Sequence, residues 1–142
     1  MDGRCSGSEA LSRRSAARLM IHLDTNFLIQ ISVSGSAAYT QFVAWAAASE
    51  EINASTIAWA EFLCGPLDAA GEALARQIFP QPEPFVSADA ALAASPFNKA
   101  GRRSRSLADC MIAAVAIRCG AKLATVNSGD FQPLVSHGLI LA

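Results

Sequence analysis

The chain has 142 residues and a formal net charge of −1, enough for one compact core that buries roughly 70% of its unfolded surface and too short for two. Hydrophobic residues make up 52% of it and charged residues 16%, which excludes a disordered chain and a surface coated throughout in positive charge. Its longest strongly apolar run, residues 110–117, stops at Arg118, far short of the ~20 residues that a membrane-spanning helix needs.

The first 18 residues carry Arg4, Arg13, Arg14 and Arg18 among serines and alanines, without the continuous apolar stretch of a secretory signal. They are expected to form a flexible extension, residues 1–18, ahead of a single domain over 19–142. Residues 19–23 are a short, mostly apolar run that stops at Asp24, Thr25 and Asn26, the pattern of a buried strand followed by a helix cap. From 37 to 48, Tyr39, Phe42, Val43 and Ala46 recur at helical intervals, and Glu50 and Glu51 lead into a short strand at 52–54. Ser55 or Thr56 then caps a helix through Trp59 and Phe62 that contains Glu61 and ends at Gly65 and Pro66.

A further helix is predicted over 68–78, followed by a proline-rich loop at 79–84 and a helix capped by Ser87 that runs toward Ala94 and is interrupted by Pro96. Ser106 and Asp109 have capping-box spacing, and residues 111–117 are apolar on all sides, so the helix they open should be buried and should stop at Gly120. Residues 122–126 predict a strand, 127–129 a turn and 139–141 a last strand. Strands alternating with helices imply an α/β fold with a mainly parallel sheet. Cys5, Cys64, Cys110 and Cys119 have no C-x-x-C spacing, so they are expected to be reduced thiols in a cytoplasmic protein.

In parallel α/β sheets, ligand sites gather at the C-terminal ends of the strands. That rule selects Asp24 after the first strand, Asp109 in the first turn of the buried helix, and Asn127 and Asp130 after the strand at 122–126; Glu61 joins them if its helix lies beside strand one. Taken singly, Asp24 is also an N-cap, Asp109 a capping-box acid, Asp130 a loop acid and Glu61 an exposed helical residue. Taken together they are an oxygen-rich cluster whose members repel by ~4 kcal/mol per pair at about 4 Å and an effective dielectric near 20, so a cation must compensate. Hard oxygen donors without histidine or cysteine favour Mg²⁺ or Mn²⁺, and phosphoester chemistry is the natural use of such a site. Lys99, Arg102, Arg103 and Arg105 precede Asp109 closely and suit the backbone phosphates of a nucleic acid, although such a run is also an ordinary solvated loop. His22 and His137 have no spacing that suggests a ligand or a base and are read as structural.

Ile21-His22-Leu23-Asp24-Thr25-Asn26, Ala60-Glu61-Phe62, Ser106-Leu107-Ala108-Asp109-Cys110-Met111-Ile112-Ala113-Ala114 and Thr125-Val126-Asn127-Ser128-Gly129-Asp130-Phe131 resemble, in order and spacing, the successive motifs of PIN domains, especially VapC-type toxins. The resemblance runs from about Met20 to the C-terminus. It implies a three-layer α/β/α domain around a parallel sheet, a Mg²⁺- or Mn²⁺-dependent endoribonuclease acting on RNA, and a homodimer neutralised by a small antitoxin in a type II toxin–antitoxin pair. Asp24, Glu61 and Asp109 match the family's first acid, helical glutamate and third acid. Its fourth acid falls on Asn127, with Asp130 three residues later, which leaves open which of the two completes the site. A PIN-like domain that has lost its chemistry and only binds RNA or protein is the alternative. A third reading makes Asp24 a phospho-acceptor, but Asn26 stands where a dehalogenase-like D-x-D pattern needs its second aspartate.

Overall fold

The computed structural model describes residues 18–102 and 106–142; the expected extension therefore lies almost wholly outside the described residues. At the centre is a four-stranded sheet in the order β2–β1–β3–β4, formed by β1 (Met20–Leu23), β2 (Glu51–Asn53), β3 (Lys122–Ala124) and β4 (Ile140–Leu141), with every pairing parallel. In the register, Ile21 lies between Ile52 and Lys122, and His22 between Asn53 and Leu123. All four residues of β1 are buried, which requires cover on both faces of the sheet and accounts for the apolar run at this position. The helices supply that cover, giving the three-layer α/β/α arrangement.

Along the chain the helices are α1 (Thr25–Gln30), α2 (Ala37–Ala47), α3 (Thr56–Leu63), α4 (Ala69–Ile78), α5 (Ser87–Lys99), α6 (Ser106–Cys119) and α7 (Ser128–Phe131), followed by a 3₁₀ helix (Gln132–His137). Most begin as the sequence predicts: the side chains of Ser36, Ser55 and Asp68 accept the N–H groups of Tyr39, Ala58 and Gly71 at 3.0, 3.1 and 2.6 Å, each satisfying a donor that has no partner within its own helix. Gly120, at φ +66°, takes the left-handed turn that ends α6. Residues 112–116 of α6 are almost wholly enclosed, as its all-round apolar composition requires. No described helix is long and apolar enough to cross a membrane.

Several boundaries differ from expectation. Pro96 does not interrupt α5 but lies buried inside it. The helix packs along α6, and that apolar contact offsets the hydrogen bond that proline cannot donate. Ser87 is not the cap of α5; the Oδ2 of Asp89 instead reaches back to the N–H of Val86 at 2.9 Å, one half of a capping box. The third strand ends at Ala124 rather than Val126, and the expected turn after it is the short helix α7. Cys64 and Cys110 are free thiols, and Cys5 lies outside the described residues.

Two polar features are buried, of which only the second, a histidine read as structural, is singled out in the sequence. Arg118, at the polar end of α6, donates from Nε to Asp89 Oδ1 at 2.8 Å and from Nη2 to the carbonyl of Pro84 at 2.9 Å, with Glu83 Oε2 at 3.5 Å. Glu83 is in turn clamped to the end of β2, its N–H donating to Ala54 O and its carbonyl accepting from the Thr56 N–H, both at 2.8 Å. The proline-rich loop is thereby tied to the sheet on one side and to α6 on the other. Burial raises the Glu83 carboxyl above its usual range, opposed by the Arg118 guanidinium. The second feature is His22, 1% exposed, whose Nδ1 has no hydrogen-bond partner among the described residues.

Removing Arg118 leaves two enclosed carboxylates facing each other without a counter-ion. Arg118→Met is therefore expected to cost about 3–5 kcal/mol in chemical denaturation. Burial first, and the Arg118 charge second, push the His22 imidazole down to about 4. The unfolded chain then binds this proton well before the folded chain does, so stability falls as pH drops through the ordinary histidine range. Between pH 7 and pH 5 the wild type should lose about 2 kcal/mol more than His22→Leu, measured by urea denaturation at each pH.

Candidate active site

The site is built outward from β1. The Asp24 N–H donates to the carbonyl of Ala124, the last residue of β3, at 3.0 Å, which carries the β1–β3 ladder one residue past β1 and fixes Asp24 at the C-terminal edge of the sheet. Its carboxylate accepts the N–H of Phe27 at 2.8 Å, capping α1, and a hydrogen bond from the Thr125 side chain. The Thr125 oxygen also accepts the N–H of Asn127 at 3.0 Å. One side chain therefore holds both Asp24 and the start of the segment that carries Asn127 and Asp130. The Asp130 N–H closes that segment onto the Asn127 carbonyl at 3.0 Å.

Glu61 arrives from α3, which packs against α1. The Thr25 hydroxyl donates to Glu61 Oε1 at 2.5 Å across 36 residues of sequence, so the residue after Asp24 anchors the helical glutamate. Asp109 lies in the first turn of α6. Asp24, Glu61, Asp109, Asn127 and Asp130 all line one cleft of about 300 Å³, together with Thr25, Asn26 and Phe131. Five residues selected from four separate stretches of sequence thus share one cavity at the C-terminal edge of a parallel sheet.

The electrostatics of the cleft follow from this crowding. Asp24 is 3% exposed, and its carboxyl is raised above the ordinary aspartate range. Loss of hydration is the main cause; the bonds from Thr125 and Phe27 oppose it, and the charges of Glu61 and Asp130 add to it. Asp24 therefore senses two other acids of the cleft as charges. The N-terminal turns of α1 and α6 open here, and the positive ends of their dipoles relieve part of the repulsion.

Among the described residues, no three His, Cys, Asp or Glu side chains form a group that could hold a metal ion by themselves. The donor set nonetheless suits a hard cation. It consists of carboxylate and amide oxygens around an open cavity, and Mg²⁺ commonly takes only one or two protein carboxylates, filling its octahedron with water and substrate phosphate oxygens. The fit is to an open, hydrated ion and not to a structural zinc, which would need four converging nitrogen or sulfur donors.

The basic run is divided. Lys99 closes α5 and lines a second cleft, of about 530 Å³, that shares Asp109 and Asp130 with the first. Arg102 is exposed at φ +60° and donates from Nε to Asn98 Oδ1 at 3.1 Å, but it lines neither cleft. Arg103 and Arg105 lie outside the described residues. His137 belongs to the wall of the second cleft, where the sequence offered no spacing to find it. Thr25 and Thr125, which position the acids, were also missed; the signal for both was a hydroxyl residue within two positions of the end of a buried apolar strand.

Residues 21–132 match the family model of the PIN domain. No curated protein sequence matches the chain. Among solved structures it resembles VapBC2 from Rickettsia felis, solved bound to a promoter DNA fragment, at 19% identity and a TM-score of 0.69 over 87% of this chain and 98% of that one. It resembles FitAcB from Neisseria gonorrhoeae at 24% identity and a TM-score of 0.62 over 86% and 96% of the two chains. A toxin–antitoxin complex from Klebsiella pneumoniae aligns at 23% identity and a TM-score of 0.63 over 78% and 89%. At these identities the structures speak for the fold, while the family match spans the first strand, the acidic cleft and α7: the chain belongs to the PIN domain family.

Proposed function

We propose that this PIN domain is a Mg²⁺- or Mn²⁺-dependent endoribonuclease and the toxin of a toxin–antitoxin pair. The observation that carries the reading is the single cleft onto which Asp24, Glu61, Asp109 and Asp130 open from four different segments. In this reading Asp24 and Asp109 hold the ion, and Glu61, fixed through Thr25, completes its shell directly or through water. Asp130 replaces the acid that Asn127 lacks, one turn further along α7, with the Asn127 amide oxygen as an additional donor.

A divalent ion held there would neutralise the acids, activate a water and stabilise charge on the phosphorane-like transition state. The protein's own part is positional. Phe27 N–H and the Thr125 hydroxyl lock the Asp24 carboxylate in one orientation and the Thr25 hydroxyl holds Glu61, while Glu61 and Asp130 are the exposed acids of the cleft and would accept the proton of a water there. Lys99, Arg102, Arg103 and Arg105 steer the RNA backbone toward the acids.

A protein partner is supported by a separate apolar groove of about 300 Å³ among α1, α2 and α4, lined by residues that include Leu28, Phe42, Phe62 and Phe79. Tyr39, Leu74 and Ile78 are left exposed along it, which is the kind of apolar patch that marks an interaction surface. We assign it to the antitoxin, in keeping with the complexes whose fold the chain shares. The alternative, a chemically inert PIN domain that binds RNA, draws its support from Asn127 alone.

Asp109→Asn is expected to abolish Mg²⁺-dependent RNA cleavage while leaving the circular dichroism spectrum and melting temperature close to wild type; cleavage at the wild-type rate would remove Asp109 from the mechanism. Asp24→Asn keeps an oxygen for the Phe27 N–H but removes an enclosed negative charge. The variant should melt a few degrees higher than the wild type in EDTA, and calorimetric titration should show no saturable Mn²⁺ binding. Saturable, Asp24-dependent binding in the wild type separates the nuclease from the inert domain.

A further inference from the structure

The second cleft opens beside the acidic one and has Asp109 and Asp130 in common with it, yet the rest of its lining differs in kind. Pro96, Pro133 and Leu134 present apolar surface, with Pro96 and Leu134 buried; Lys99 adds a cation at the last residue of α5; His137 adds a half-buried aromatic ring at the last residue of the 3₁₀ helix. At about 530 Å³ it falls within the ~300–1,000 Å³ of clefts that enclose small organic groups.

The polarity is ordered by its neighbours. The end shared with the acidic cleft carries two carboxylates and repels a bare phosphate, so a phosphate would rest there only against a cation held by the first cleft. The apolar portion repels nothing flat and uncharged. A chain that places a phosphodiester over the acids therefore has an enclosure for its adjoining base immediately alongside, with Lys99 available to the phosphate beyond. A base can enter such an enclosure only when it is unpaired, and aromatic side chains are the usual surface on which unpaired bases stack.

We propose that this cleft seats the base of the nucleotide adjoining the cleaved bond of a single-stranded RNA, with the His137 imidazole as its stacking surface and Lys99 paired to the following phosphate. His137 is thus a specificity-determining residue and not a structural one. The proposal rests on the ribonuclease reading for its substrate class, and it makes claims about His137 that binding alone can decide.

The test uses the full chain with Ca²⁺ in place of Mg²⁺, so that a hard cation is present for the acidic cleft, and fluorescein-labelled ten-nucleotide oligoadenylate, oligouridylate and oligocytidylate, confirmed intact by gel electrophoresis and read by fluorescence anisotropy. His137→Ala is expected to weaken binding of the best of the three about fivefold or more, and His137→Phe, which retains a flat ring, to restore it to within about twofold of wild type. Lys99→Ala should lower the slope of log affinity against log salt by about 0.7, the contribution of one phosphate on a single strand, while His137→Ala leaves that slope unchanged. Wild-type affinity in His137→Ala, or a His137→Phe as weak as the alanine variant, overturns the proposal. Cleavage by the wild type in Mg²⁺ alongside unaltered binding by His137→Ala sinks the base pocket and spares the nuclease. Binding that depends on His137, without cleavage in Mg²⁺, does the reverse; the absence of any RNA binding by the wild type refutes both.

Discussion

Asp24 carries two obligations that pull against each other. As the N-cap of α1 it is held by the Phe27 N–H and enclosed at the end of the central strand; as a member of the acidic cleft it must bear charge next to Glu61 and Asp130. Everything that positions the cleft serves to make this tolerable. The Asp24–Ala124 backbone bond fixes where the carboxylate emerges, Thr125 donates to it, and Thr25 keeps Glu61 beside it. A fold selected for stability alone would place an asparagine there, which keeps the cap and discards the charge. The retained aspartate is the strongest sign that the cleft is there to be used.

The opposite side of the molecule solves a similar problem by pairing. Asp89 and Glu83 are enclosed too, but each meets Arg118, so a fixed cation of the protein itself offsets their charge. The contrast is one of partner: Asp89 and Glu83 have a fixed guanidinium at 2.8 and 3.5 Å, whereas Asp24 and Glu61 are held by hydroxyl and backbone N–H donors that carry no full charge.

Much of the architecture was legible in local patterning, because what sets it is local. The Asp24 stop after an apolar strand, the cap at Ser55 and the turn at Gly120 each depend on residues within four positions of one another. The acids were legible for a different reason: strand ends in a parallel sheet form one surface, so residues that follow strands meet. Features that depend on tertiary packing were not legible. Arg118 resembles the polar end of an apolar helix, and its partners lie 29 and 35 positions earlier; Pro96 looks like a helix breaker until α6 is laid beside it. His137 had no sequence neighbour to announce it, since its companions Pro96 and Lys99 come from an element some forty positions upstream.

The clamp that Glu83 makes at the end of β2 also has a bearing on how the protein meets copies of itself. Asn53 of β2 donates through its side chain to the Gln81 carbonyl at 3.0 Å, and the bridge between Ser55 and Glu83 follows directly, so this margin of the sheet is occupied by the chain's own loop. The other margin, β4, is two residues long. Among the described residues the two borders are three and two residues long, too short a run of backbone donors and acceptors for a foreign strand to template on, a device by which natural sheets avoid growing into ribbons.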